Sequence, residues 1–290
     1  MTASDRKLIW LASYPKSGNT WFRVFLSNLQ KGSDEPIHIN QLQTGRMASA
    51  RAAFDWCYAV DSSLFTLDEI DLKRPAVYNS WARAADDTAF HKVHDAYTFL
   101  DNAKPLLGDP GQQAAIYLVR NPLDVCVSFA HHNGHQNFDK TIAVMADVNH
   151  QFASTHTTMH QQFRQRLLSW SRHVLSWVED AKMPVHIVRY EDMLLDGQNT
   201  FEKICQFAGL NTDSNKIAAA MEASSIEKLQ AQESSVGFKE KPSQCRAFFR
   251  SGCIGSYKNN LNQQQIDKIV DQHQSVMRRL NYLDDQGLRY

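Results

Sequence analysis

The sequence predicts an α/β protein with a central, mostly parallel sheet flanked by helices, and three observations carry that reading. An apolar run, a polar turn and an amphipathic stretch follow one another twice, at about residues 7–30 and again at 114–130. A further apolar run, Val185 to Tyr190, comes directly after a helical stretch that Pro184 ends. Strands separated by helices need long crossovers, so they pair in parallel and are covered on both faces.

Taken in order, residues 7–12 read as a buried strand and Ser13 to Thr20 as a turn. Trp21, Phe22, Phe25, Leu26 and Leu29 then recur at helical spacing and predict a helix over 19–30. Residues 31–63 are mixed, with aromatics at Phe54, Trp56 and Tyr58. Thr66 and Glu69 form a candidate capping box for the helix that follows. Residues 89–94 predict a short strand, and Ala114 to Arg120 a clearer one. Pro122 sits in the first turn of the next helix. Residues 133–162, rich in His, Gln, Asn and Thr, read as a mobile lid or insertion, not a core element. A helix is expected near 167–178, a strand at 185–190, and helices at about 198–209, 213–222, 225–232 and 263–280. Ser224 and Glu227 are a second candidate capping box. Residues 234–260 read as a long loop. Without a repeat or a low-complexity linker, residues 1–290 are expected to form a single domain.

The chain carries 31 Lys+Arg against 31 Asp+Glu, a net charge of +0, with 43% hydrophobic residues. That profile excludes a disordered or fibrous chain, and a core of this size needs no staple. Neutral balance argues against a general binder of nucleic acid or membrane surfaces. The longest early apolar run, Leu8 to Ala12, is too short for a signal segment or a membrane span, so a cytoplasmic protein is expected. Five cysteines, an odd number with no CxxC pair, argue against a disulfide framework or a zinc site. Six histidines fall between 131 and 160 (His131, His132, His135, His150, His156 and His160). They lack ligand spacing, read as solvated polar residues, and no metal is expected.

The first strand runs into Tyr14-Pro15-Lys16-Ser17-Gly18-Asn19-Thr20-Trp21. This is an anion cradle: Gly18 lets the backbone curl, N–H groups at the helix start point at negative charge, Lys16 adds a full charge, and two hydroxyls add donors. It is not the GxxxxGK[ST] loop, which needs a second glycine and a later lysine. The later turn reads Arg120-Asn121-Pro122-Leu123-Asp124-Val125-Cys126-Val127-Ser128. A guanidinium at a strand's carboxyl end is placed where ligands of open α/β sheets sit. The plainer alternative is an Arg120–Asp124 pair that ties the turn together.

Together these stretches resemble the nucleotide-binding segments of the sulfotransferase family, whose donor is 3′-phosphoadenosine-5′-phosphosulfate (PAPS). YPKSGNTW is similar to the family's loop for the 5′-phosphosulfate and RNPLDVCVS to its segment for the 3′-phosphate. WSRHVLSWVED (170–180), RYEDML (189–194) and, more loosely, FFRSGCIGSYKNN (248–260) also resemble family segments. The likeness extends over residues 7–260 and implies the sulfotransferase variant of a P-loop-like nucleotide-binding fold. It implies that Lys16 contacts the oxygen bridging phosphate and sulfate, and that Ser17, Gly18, Asn19 and Thr20 hold the 5′-phosphate. Trp21 would stack on adenine, with Tyr190 and the Ser224–Ile226 segment at its edge. Arg120 and Ser128 would bind the 3′-phosphate, and Arg250, Ser251 and Gly252 would close over it, making 234–260 a nucleotide-capping loop. Lys92-Val93-His94 matches the family's Lys-x-His, so His94 would be the general base and Lys92 would stabilise charge on the transferred group.

The resemblance thus implies transfer of a sulfuryl group from PAPS, leaving adenosine 3′,5′-bisphosphate (PAP), to a hydroxyl of a small-molecule or natural-product acceptor, without a metal. It departs from the pattern at Ser251, where a second basic residue is usual; either 3′-phosphate binding is weaker or another residue, such as Lys258 or Arg246, substitutes. The family's dimer signature is absent after Lys258, which leaves a homodimer open. Phe22, Phe54, Trp56, Trp81, Tyr97, Phe99 and Phe129 are candidate pocket residues, and their convergence would indicate an aromatic or bulky acceptor. A catalytically silent nucleotide-binding protein and, less favoured, a P-loop kinase are the alternatives.

Overall fold

Period-two alternation lets the sheet bury both of its faces. The computed structural model describes residues 6–32, 35–155 and 160–290. Strand β1 (Leu8–Ser13) sends Leu8, Trp10 and Ala12 to one face and Ile9 and Leu11 to the other, all fully buried. Then come α1 (Asn19–Lys31), α2 (Arg51–Tyr58), α3 (Leu67–Ala84) and β2 (Ala89–Val93). Next are β3 (Gln113–Val119), α4 (Pro122–His132), α5 (Phe138–Ala146), and the short strands β4 (Gln151–Phe152) and β5 (Gln165–Arg166). Helix α6 (Trp170–Leu175) runs into one π turn, Ser176–Asp180, before β6 (Val185–Arg189). The chain ends with α7 (Tyr190–Leu195), α8 (Gly197–Ala208), α9 (Ser214–Ala223), α10 (Ile226–Val236), α11 (Gln263–Arg279) and a hairpin of β7 (Leu283–Asp284) and β8 (Gly287–Leu288).

The main sheet has the order β2-β1-β3-β6 and is parallel throughout. Helices α1, α8 and α9 pack one face through Phe22, Phe25, Phe201 and Ile204. Helices α3, α4, α5, α6 and α11 pack the other through Tyr78, Phe129, Met145, Trp170 and Ile269. The α/β architecture with a parallel sheet covered by helices is the expected one. The chain leaves β1 towards β2 and then crosses back to β3. The carboxyl ends of β1 and β3 therefore flank the point where strand order reverses, the position at which open sheets form a ligand crevice.

The expected capping box at Thr66 and Glu69 is present in both directions. Three local expectations are corrected. Residues 133–162 contain a core element, because α5 buries Ile142 and Met145 against the main cluster. Their spacing of three shows only one turn of apolar periodicity amid polar neighbours. Ser224 caps nothing: its hydroxyl donates to Ala220 O (2.7 Å) and accepts from Asn28 Nδ2 (3.1 Å), while Ser225 occupies the N-cap of α10 without a side-chain bond. Residues 190–195 fold as α7 immediately after β6, with no turn residue to announce it. His156 lies outside the described residues.

Below the carboxyl end of β2, a buried ion network fixes the chain. Arg74 Nη2 donates to Asp95 Oδ2 (2.7 Å), and Asp71 Oδ2 accepts from both Arg164 (2.6 Å) and Arg166 (2.8 Å). Removing one partner of such a pair leaves a buried charge uncompensated, at a cost of about 3–5 kcal/mol. The network joins α3 to the residue after His94 and to β5.

Candidate active site

A cavity of about 780 Å³ opens at the carboxyl ends of β1, β2 and β3. Its wall includes Lys16, Gly18, Asn19, Thr20, Trp21, Lys92, His94, Arg120, Ser128, Tyr190, Ile226, Arg250, Ser251 and Gly252. The residues expected for donor binding and for catalysis therefore converge, with two exceptions. Ser17 is fully buried beneath the turn, and Ser224 faces inward, its place on the wall taken by Ser225. Ser224 still shapes the site, since its carbonyl accepts from the Trp21 indole (2.9 Å).

The turn after β1 is strained where it carries charge. Lys16 adopts φ 70° and Gly18 φ 94°. A Cβ at Gly18 would stand 2.6 Å from Tyr190 Cδ2, so glycine serves both the left-handed backbone and the approach of the α7 ring. Lys16 Nζ lies 4.2 Å from the Phe248 ring centroid and 3.3 Å from His132 Nδ1. Burial, opposed by Cys245 and reinforced by Lys92, Arg120 and Arg250, pulls Lys16 down to about 8. His132 is correspondingly held neutral, its value lowered to about 3 by burial and by Lys16 and Lys92. His132 is thus not a solvated histidine; it lines the cavity beside the key lysine.

Arg120 leaves β3 and lies 4.3 Å over the Tyr190 ring. Its Nη1 donates to Lys16 O (3.4 Å) and its Nη2 to Cys253 O (3.0 Å), so one guanidinium ties the first turn to the 250s segment. The simpler pairing with Asp124 is marginal at 4.0 Å. Asp124 instead accepts from Gly255 N–H (2.8 Å), Ser256 Oγ (2.9 Å) and Tyr257 N–H (3.0 Å), docking the long loop on α4. Gly252 has φ 59°, and a Cβ there would come 2.9 Å from Ile226 Cγ1. Among the described residues, buried Ser17 Oγ and Arg120 Nε have no hydrogen-bond partner. Both can donate, and unpaired donors beside Lys16 suit an anionic group such as phosphate. The residues present therefore fit a phosphorylated donor.

His94 follows β2. Its Nδ1 lies 2.8 Å from Ser13 O, an atom that can only accept, so Nδ1 carries the hydrogen and Nε2 keeps its lone pair. The His94 carbonyl accepts from His173 Nε2 (3.0 Å), and His173 Nδ1 in turn accepts from the Tyr117 hydroxyl (2.9 Å). Burial, with Lys92 nearby, holds His94 well below 6.5, so it is neutral at pH 7. Lys92 Nζ donates to Glu240 Oε2 (3.1 Å), and Glu240 also takes a two-pronged bond from Arg23 Nη1 (2.8 and 2.9 Å). Burial raises Glu240, but Lys92 and Arg23 outweigh it and push the carboxyl down to about 2.

Several wall residues carry no sequence signal. They are His132, Glu240, Lys239 and Lys241, and the amides Gln162 and Gln165. Lys239 and Lys241, not Lys258 or Arg246, bring extra positive charge to the cavity. The candidate aromatics do not line the cavity. Phe22, Phe54, Tyr97 and Phe129 are core, Trp81 stacks on His91, Phe99 is partly exposed and Trp56 is 79% exposed. Phe152, Phe248 and Phe249 line the cavity in their stead. No helix among the described residues is long and apolar enough to cross a membrane, and among them no three His, Cys, Asp or Glu side chains are grouped to hold a metal.

A sulfotransferase domain model matches residues 6–281. Luciferin sulfotransferase of Photinus pyralis is 28% identical over 282 residues, which cover 90% of this chain and 69% of that protein. Sulfotransferase 2B1 of Homo sapiens is 24% identical over 93% of this chain and 66% of its own length, and Sulfotransferase 2A6 of Mus musculus is matched over 55% of its length. Among solved structures, mouse sulfotransferase SULT7A1 complexed with PAP superposes with TM-score 0.59 at 19% identity, covering 96% of this chain and 87% of that one. Retinol dehydratase in a complex with retinol and PAP gives TM-score 0.60 at 17% identity, over 98% and 84%. The chain belongs to the sulfotransferase family, the enzyme class that its two anion-binding turns indicate.

Proposed function

We propose that the protein transfers a sulfuryl group from PAPS to a hydroxyl of a small-molecule acceptor, with His94 as general base. One observation carries this reading: His94 Nε2 is a free acceptor on the wall of the same cavity as Lys16, Lys92 and Arg120. The donor, when bound, supplies an activated sulfur–oxygen bond. Lys16, Gly18, Asn19 and Thr20 bind its 5′-phosphate end, with Lys16 compensating charge on the bridging oxygen. Arg120 and Ser128, with Arg250, Ser251 and Gly252 from the loop above, bind the 3′-phosphate. Trp21, Tyr190 and Ile226 flank the adenine. Lys92 offsets charge on the transferred group. His94 Nε2 takes the hydroxyl proton as the acceptor oxygen bonds to sulfur and the sulfur–oxygen bond to the 5′-phosphate breaks. By analogy with phosphoryl transfer, positioning and fixed positive charge do most of the work.

The family's named relatives act on luciferin or bind retinol, which supports a small-molecule acceptor here as well. A free imidazole acceptor beside two lysines favours turnover over a silent nucleotide-binding role. Thermal unfolding with PAP and with AMP tests the donor site, because a ligand that binds only the folded state raises Tm with its affinity. PAP is expected to give the larger rise at equal concentration; equal rises would remove the 3′-phosphate site.

A further inference from the structure

At the donor end the unpartnered buried atoms include the donors Ser17 Oγ and Arg120 Nε, but on the wall shared with His94 an acceptor stands unpaired. Gln165 is 3% exposed and lines the cavity. Its Nε2 donates to Gln162 Oε1 (2.8 Å), which also accepts from Ser49 Oγ (3.3 Å). In that arrangement Gln165 Oε1 has no hydrogen-bond partner among the described residues. A buried acceptor without a partner carries its full desolvation cost until a ligand supplies a donor.

The strand that bears Gln165 is tied to the base. Arg166 N–H donates to Asp95 Oδ1 (3.0 Å), and Ala96 N–H donates to Arg166 O (2.7 Å). The residues that immediately follow His94 and Gln165 are therefore bonded to each other. A second cavity, of about 670 Å³, adjoins the first and shares Met47, Lys92, Gln162 and Glu240 with it. Its own wall adds Arg51, Asp55 and His160 together with Ala50 and Ala52.

We propose that this end of the cavity selects acceptors that carry a second hydrogen-bond donor, a diol or an amino alcohol, which pairs with Gln165 Oε1 while the reacting hydroxyl faces His94. The inference rests on the function proposed above, since it treats this end as the acceptor site. A site built to pair a hydroxyl rejects the analogue that lacks it, because its own polar group is then stranded. Gln165 is thus a specificity-determining residue.

The test is a titration of the PAP-saturated protein, followed by NMR, with cyclohexanol and with 1,2-, 1,3- and 1,4-cyclohexanediol. At least one diol is expected to bind wild type about tenfold more tightly than cyclohexanol. Gln165→Leu is expected to bring that margin within about twofold, while Gln165→Glu, which keeps an acceptor oxygen, retains it. Wild type binding every diol no more tightly than cyclohexanol overturns the proposal, as does Gln165→Leu with its margin intact. Should Gln165→Leu not fold, loss of the margin in folded Gln165→Glu also overturns it. A diol margin without any turnover of diol and PAPS refutes the function proposed above and leaves the polar subsite supported.

Discussion

The proposed donor end and the proposed acceptor end of the cavity are built in different ways. The 5′-phosphate part of the donor end uses contiguous residues at a strand-to-helix turn, where backbone geometry, a helix N-terminus and Lys16 act within eight residues, Tyr14 to Trp21, and Arg120 and Arg250 join it from elsewhere in the chain. The acceptor end is assembled from segments far apart in the chain. Met47 bridges Lys92, Glu240 reaches Lys92 and Arg23 from a loop, Gln165 lies in β5 and Gln162 just before it. A local turn is set by its own residues, whereas the remote wall depends on packing. The donor end should therefore respond to substitution as a charge site and the acceptor end as a shape and hydrogen-bond site.

The largest expected effect lies where the two ends meet. His94→Ala should lower kcat by roughly 10²–10⁴-fold, the usual contribution of a general base, while PAP binding measured by calorimetry stays unchanged. Turnover near the wild-type rate would take the base away from His94. At the donor end, Arg120→Ala should weaken PAP by roughly 10–100-fold, the worth of one charge-assisted hydrogen bond of about 1.5–3 kcal/mol, and weaken AMP far less. Equal losses for both nucleotides would instead give Arg120 the role of tying Lys16 to Cys253.

The two ends should also separate by pH. Lys16 loses its proton near pH 8 in the free protein, so kcat/KM for the donor should fall above that value. His94 sits well below 6.5, so the acid limb should begin well below pH 6.5. In Lys16→Arg the alkaline limb should disappear and the acid limb remain; an alkaline limb kept in that variant would assign it elsewhere. The smallest effect belongs to the ion triad of Arg23, Glu240 and Lys92. Glu240 titrates at about 2, below its ordinary 4.5, so its contribution to stability is full above pH 4.5 and is lost as pH falls towards 2. Glu240→Gln should lower Tm at pH 7 by about 2–6 °C, for a loss of roughly 1–2 kcal/mol, and the gap should close in acid. A gap that persists at pH 2 would separate the effect from charge.

Much of the framework could be read without coordinates. The strands at 8–13, 89–93, 113–119 and 185–189 stand within a residue or two of their expected places, and the two central ones, β1 and β3, are buried throughout. The box at Thr66 and Glu69 could also be read, as a pattern of neighbours. Its counterpart at Ser224 failed because the hydroxyl found Ala220 O, one helical turn back, and the Asn28 amide from α1. His132 looked like one of many polar histidines; only the fold brings its ring to Lys16.

From the sequence alone came the sheet's hydrophobic strands, the two turns that gather positive charge and the Lys92-Val93-His94 triplet, because each depends on residues close together in the chain. Tertiary structure decided that Gln162 and Gln165 line the proposed acceptor wall beside Phe152, and that Lys92 shares Glu240 with Arg23. Those contacts span more than a hundred residues in several cases, and isolated polar side chains carry no periodicity that would reveal where the fold will bury them.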